Sequence, residues 1–174
     1  DVPLRERNVL LVAAGFAPLF PARTLDDPAL AAARRAMEIV LKAHEPYPAL
    51  AIDRHWSLVS ANAMVAPLLA GVAPALLQPP LNVLRLAFHP QGLAPRTANL
   101  AEWCAHLMER LHRQIEVTAD PALVALRDEL KTYPIPARRT PHASPVDSVA
   151  VPFRVTLGGR VLSFISTTMV FGTP

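Results

Sequence analysis

YPALAIDRHWSLVSANAMVAPLL, residues Tyr47–Leu69, decides the fold. Ala49–Ile52 and Trp56–Ala61 carry aliphatic and aromatic side chains that suit a pleated, half-buried surface, and Asp53-Arg54-His55 between them suits a tight turn. The pattern predicts a β-hairpin. Asn62 follows where a helix N-cap belongs, its side chain placed to accept from the first free amides of a helix over Ala63–Ala70. A hairpin that runs straight into a helix points to a mixed architecture.

Working outward, the N-terminal side is helical. Pro3–Ala14 ends on Gly15, and Asp27-Pro28 is an N-cap and first-turn pair for a helix reaching about His44, with Leu30, Met37, Val40 and Leu41 on its buried side. Pro46 and Pro48 stop it. On the C-terminal side, residues 71–92 are short helical pieces cut by prolines, Asn82–Phe88 being the clearest. Asn99 and Glu102 form a capping-box pair for a helix to about Val117, and Asp120-Pro121 starts another that ends near Thr132. YPIPARRTPHASPVDS (133–148) reads as a loop or semi-rigid linker.

The end of the chain is β again. Val149–Leu157 and Arg160–Phe171 flank Gly158-Gly159, a two-residue turn tolerant of positive φ. Leu162, Phe164, Ser166 and Thr168 share one face of the second strand, and Val161, Ser163, Ile165 and Thr167 the other. Hairpins separated by helices predict an α+β fold: an antiparallel sheet with N-terminal helices and helices packed on one face. The expected organisation is one domain over 1–174, with N-terminal helices in 1–45 and the sheet and its covering helices in 46–174.

Composition narrows the function classes. The 174 residues are 52% hydrophobic, enough for a core with a cavity inside it, and the formal net charge is +3. Arg outnumbers Lys fifteen to two, yet no like-charge run exceeds Arg138-Arg139, so the chain lacks the electrostatic footprint of a nucleic-acid binder. The single cysteine, Cys104, excludes an internal disulfide and fits a reducing, cytoplasmic setting. The longest apolar run, Ala63–Leu77, contains Pro67, Gly71 and Pro74 and is too short and broken to span a bilayer. The opening DVPLRERNVLLVAAG has helical spacing and no Met, as the interior of a longer protein would.

Candidate chemistry is sparse. Cys104 and His106 lie two apart on a helix, about 200° around its axis, so they cannot form a thiolate–imidazole dyad. Leu100, Trp103, Leu107, Leu111 and Ile115 make an apolar stripe that takes in Cys104 as core. The six histidines show no metal-ligand spacing, and the glycines form neither a P-loop nor a dinucleotide fingerprint, so no cofactor is expected. One constellation stands out in LNVLRLAFHPQG (81–92): Asn82, Arg85 and His89 fall within about 60° on one helix face, with Leu84 and Phe88 on another. A guanidinium and an imidazole facing a cavity suit a carboxylate; a solvated face, or Arg85 capping a loop, is the plainer alternative. Trp56 and Trp103 suit either core or cavity wall.

Four segments in order, VPLRERNVLLVAAGFAP (2–18), PYPALAIDRHWSLVSANA (46–63), NVLRLAFHPQGLAPRTANLAEW (82–103) and LSFISTTMVFGTP (162–174), resemble the ligand-binding domain of MmyB-like transcription regulators. The resemblance implies a PAS-like fold behind an Xre-type helix-turn-helix that makes the DNA contact, and a small apolar ligand with fatty acid as the class. It also implies a further acidic, helical segment after FGTP. In that setting an acyl tail is expected among Leu58, Met64, Phe88, Trp103, Phe164 and Met169, with Arg85 and His89 on the head group and Asn82 beside them. A homodimer is expected, and no membrane contact. The rival is a ligand-free dimerisation module; a small hydrolase or transferase is the remaining alternative.

Overall fold

Asp53, more than any apolar residue, shapes the first hairpin. The computed structural model describes residues 31–136 and 151–167 together with position 14. The chain divides into two units, 1–43 and 44–174. In the first, α1 (Ala31–Ala43) buries Met37 and Leu41, as the helical spacing predicts; the Asp27-Pro28 start and the Pro3–Ala14 helix lie outside the described residues.

In the second unit β1 (Leu50–Ile52) pairs antiparallel with β2 (Leu58–Ala61), with a register shift between Ala51 and Ile52. The Asp53 carboxylate accepts from the amides of His55 and Ser57, both at 2.8 Å. This side-chain turn widens the loop to residues 53–57 and sets Trp56 at φ +65°, so Trp56 is a loop residue and not the start of the strand. Its indole drops into the core and its Nε1 donates to Gln114 Oε1 at 2.9 Å. Gln114 in turn donates to the Arg54 carbonyl at 2.6 Å, clamping the loop to a helix far along the chain.

Asn62 sits where the cap was expected but caps nothing. It accepts from Ala49 N at 3.1 Å and donates to the Tyr47 carbonyl at 2.9 Å, closing the open end of the hairpin. A 3-10 turn (Ala63–Val65) and a single helical turn, α2 (Ala66–Leu69), replace the continuous helix because Pro67 admits only a helix start. After a second 3-10 turn (Pro74–Leu77) comes α3 (Val83–Phe88), capped by Asn82, which accepts from Leu84 N and Arg85 N, each at 3.1 Å.

A 3-10 turn (Ala94–Arg96) leads to α4 (Leu100–Thr118), which ends on Ala119 in the left-handed region at φ +49°. α5 (Pro121–Leu130) begins with Asp120 accepting from Ala122 N at 2.9 Å, as the Asp-Pro pair predicts. Asp120 also meets His55 Nε2 at 2.9 Å, a second tie between the hairpin loop and the helices. The core unites Trp56, Leu84, Phe88, Trp103, Cys104, Leu107, Leu111, Leu123, Leu126 and Leu130, so α3, α4 and α5 pack their apolar faces together. A smaller cluster of Val72, Leu86 and Leu93 lies on the other side of α3.

β3 (Phe153–Leu157) and β4 (Arg160–Phe164) form the second hairpin in the register Leu157↔Arg160. Gly158 and Gly159 both have positive φ, +55° and +76°, the demand of a type I′ turn. Cross-strand pairs Phe153↔Phe164 and Val155↔Leu162 share a face, and Val155 is wholly buried.

The fold is α+β, with helices and two small antiparallel sheets. Among the described residues the hairpins do not merge into the one sheet that the sequence suggests. Each takes an extra rung from the segment that leads into a helix. Ser57 bridges to Asn82, flanked by Leu58 N to Leu81 O at 2.7 Å and Val83 N to Trp56 O at 2.9 Å. Val155 bridges to Thr97, and Ala98 N donates to Arg154 O at 2.8 Å. Asn99 completes that junction, accepting from Arg154 N and donating to the Pro152 carbonyl, while its side chain makes no cap on α4 and meets Glu102 directly at 3.1 Å.

Candidate functional site

The Asn82–Arg85–His89 constellation is built by α3 and the two residues that bound it. Asn82 is buried, and besides capping α3 it donates to the His55 carbonyl at 2.8 Å. Arg85 reaches across to α5: its Nε lies 2.8 and 3.1 Å from the two Glu129 carboxylate oxygens, and its Nη2 lies 2.7 Å from one of them. Tyr133 donates its hydroxyl to the same carboxylate at 2.8 Å, and the His89 ring meets Tyr133 edge-on at 5.1 Å. His89 stands at the C-cap, where its Nδ1 accepts from Gln91 N at 3.0 Å.

The electrostatics follow from these contacts. The hydrogen bond from Arg85 holds the Glu129 carboxyl below its usual range, and the same bond raises the guanidinium. Burial, with Glu129 beside it, pushes the Tyr133 phenol up to about 12. The guanidinium thus meets a carboxylate of the chain itself, so the cluster is a brace between α3 and α5.

The apolar residues expected around a tail are only partly brought together. Phe88 and Trp103 meet in the main core, 2% and 8% exposed. Phe164 stacks on Phe153 at 6.4 Å, and Phe153 lies against Trp103 at 5.2 Å. These rings form a continuous aromatic run from β4 to α4. Leu58 and Met64 are half-buried and stand outside that core cluster, and Met169 lies outside the described residues.

α4 also carries a constellation that the apolar stripe hid. His106, Arg110 and Arg113 follow at i, i+4 and i+7, within about 60° around the helix axis. With Ser166 beyond the end of β4 they line an open cleft of about 410 Å³. The His106 ring stacks on Trp103 at 5.6 Å, and the Arg110 guanidinium lies over the Trp56 indole, 5.4 Å from its centroid. Desolvation first, then neighbouring cationic groups, lowers the pKa of both His106 and Arg110. The signal for this site was available in the spacing, three basic-type side chains repeating along one edge of an amphipathic helix.

Burial pushes the Cys104 thiol up to about 12, far from the thiolate a nucleophile needs. Among the described residues no three His, Cys, Asp or Glu side chains are grouped to hold a metal ion, and no helix is long and apolar enough to cross a membrane.

No curated protein and no solved structure matches the chain significantly. The family model for the MmyB-like transcription regulator ligand binding domain matches residues 33–174, covering both hairpins, the helical core and the α4 cleft. The chain belongs to the family of MmyB-like transcription regulator ligand-binding domains.

Proposed function

We propose that this domain senses an apolar or amphipathic small molecule of the fatty-acid class and passes its occupancy to the DNA-binding helix-turn-helix of an Xre-type, cytoplasmic regulator. The observation that carries this reading is the aromatic run Phe164–Phe153–Trp103, which ends beside the polar cleft of α4. A run of aromatic rings ending beside basic side chains suits a molecule that is apolar along its length and polar at one end. Each buried methylene contributes about 0.8 kcal/mol, so chain length, more than polar contact, sets the affinity. Of the residues read from sequence, Trp103 and Phe164 belong to this run, with Phe88 behind Trp103 in the core. Leu58 and Met64 stand outside the core cluster and Met169 lies outside the described residues, so their part in holding a tail rests on the family resemblance alone. Arg85, with His89 and Asn82 beside it, takes the head group only by exchanging the Glu129 carboxylate for the ligand's.

Regulation requires that the ligand favour one of two packings of the domain, since a ligand of equal affinity for both shifts nothing. The domain performs no reaction in this scheme. A thermal-shift series of saturated acids of increasing chain length tests it. Stabilisation growing with chain length is expected, because a ligand that binds only the folded state raises its stability. A melting temperature unmoved by every acid contradicts the reading.

One observation favours a second reading, a ligand-free dimerisation module. β4 and the residues after it leave Val161, Leu162 and Ile165 exposed, at 57%, 41% and 75%. A homodimer that covers these side chains serves the sensor as well as the module, so ligand occupancy separates the two.

A further inference from the structure

We infer that the outer edge of β4 is where two copies of this chain meet, the strands pairing antiparallel about a two-fold axis through Leu162; this rests on the regulator reading above and names the surface that its homodimer uses. The register of the second hairpin fixes which backbone groups are open. Leu157↔Arg160 closes the two-residue turn, so pairs that exchange hydrogen bonds alternate with pairs that do not, and Arg154↔Ser163 and Thr156↔Val161 are of the second kind. The far side of β3 agrees: Arg154 O accepts from Ala98 N at 2.8 Å and Arg154 N donates to Asn99 Oδ1 at 3.1 Å, both directed away from β4. The N–H and C=O groups of Val161 and Ser163 therefore point outward, and among the described residues no backbone hydrogen bond from another element reaches them.

An open strand edge invites another strand, and folded proteins protect such edges with proline, bulges, charge or brevity. β1 carries three of these devices: it has three residues, a register shift between Ala51 and Ile52, and Pro48 shortly before it. β4 has five residues in unbroken register, with neither proline nor bulge, and its one charge, Arg160, stands beside the turn.

A second copy is the occupant that the strand's own sequence fits. With the axis at Leu162, Val161 of one copy exchanges hydrogen bonds with Ser163 of the other, symmetry repeats the exchange, and Leu162 meets Leu162. Arg160 then stands across from Phe164, so the strand's charge faces an aromatic ring and never its own copy. The symmetry also suits the proposed helix-turn-helix, because a two-fold pair of such domains reads two half-sites. Five residues a side make a small contact, so the pair forms and separates reversibly with concentration.

Sedimentation equilibrium of the 174-residue chain and of Ser163→Pro, with disulfide trapping of Leu162→Cys and Val117→Cys, tests the assignment. Proline at position 163 deletes an outward amide and leaves the bonds between β3 and β4 in place, and a melting curve checks that the hairpin survives. The wild type is expected to be a reversible dimer, and Ser163→Pro to associate roughly thirtyfold more weakly, since each of the two symmetry-related bonds lost contributes about fivefold. Under oxidised glutathione Leu162→Cys should link the copies, because facing positions in a non-hydrogen-bonded antiparallel pair lie about 4.5 Å apart at Cα, within disulfide reach. Val117→Cys, at a position 86% exposed near the end of α4, reports chance collision, and Cys104 is too buried to compete. A folded Ser163→Pro chain that dimerises like wild type, or a Leu162→Cys chain that links no faster than Val117→Cys, overturns the inference. So does a monomeric wild type; hydrogen exchange at Val161 and Ser163 then separates an edge covered by a segment of the same chain, which protects these amides, from an edge left open. Ligand uptake is read separately by the thermal-shift series, so the sensor reading survives the failure of this interface.

Discussion

Asn82 uses both ends of its amide inside the protein. Its oxygen caps α3 through Leu84 N and Arg85 N, and its nitrogen satisfies the His55 carbonyl in the hairpin loop. Asn82→Ala removes the cap, about 1 kcal/mol, and strands a carbonyl that then lacks its partner, about 1–3 kcal/mol. The urea midpoint should fall by an amount equivalent to about 2–4 kcal/mol with an unchanged slope, and a loss under about 0.5 kcal/mol would show that water replaces the amide. Residues of the same type show what local pattern can reveal. Asp120 before Pro121 reads correctly as a cap because both partners of the bond lie within two residues. Asn62 and Asn99 read the same way, yet their side chains bond Tyr47, Ala49, Pro152 and Arg154. Chain-distant backbone groups compete for these amides, and nothing in a four-residue window records them. The Trp56 conformation was hidden for a related reason: the Asp53 carboxylate, not strand propensity, sets that turn.

At the scale of elements, α4, α5 and the turn of the second hairpin were legible because each has strong periodicity or an explicit stop, whereas the hairpin's strands, expected over Val149–Leu157 and Arg160–Phe171, span Phe153–Leu157 and Arg160–Phe164 among the described residues. Gly158-Gly159 sets the turn, and the stripe Trp103, Leu107, Leu111 sets the buried face of α4. The basic edge of that helix went unread, since attention to the apolar stripe treats charged neighbours as solvated. The brace between α3 and α5 was invisible too, because Arg85 and Glu129 are 44 residues apart. Its contribution has a defined pH dependence. Arg85 depresses the folded-state pKa of Glu129. The stability it adds is therefore complete above the unfolded carboxyl value, about 4.3, and disappears as pH falls through the lower folded value. With side chains 42% and 35% exposed, solvent screening holds the pair to about 1 kcal/mol or less. Glu129→Gln should be less stable than wild type at neutral pH, and the two stability curves should converge as pH falls below about 4.3. Curves that stay parallel through the acid range would show that Glu129 gains nothing from Arg85.

For the whole molecule, the α+β class followed from two hairpins separated by helices, but the number of sheets did not. Strand pairing between distant segments is decided by which edges remain free after local folding, and residues 81–83 and 97–98 contribute the added rungs. The same limit applies to the proposed ligand surface. The aromatic run joins Trp103 to Phe153 and Phe164 across 50 residues and more of chain, so only the assembled fold displays it beside the α4 cleft. Assembled in this way, the fold sets the basic edge of α4 beside a run of aromatic rings, the two features on which the proposed reading as a sensor for a long-chain acid relies. Native mass spectrometry of the purified chain, followed by denaturing extraction of whatever travels with it, tests this claim most directly. One long-chain acid per chain, retained or taken up when added, is the predicted result; a bare protein mass that no added acid shifts would contradict it.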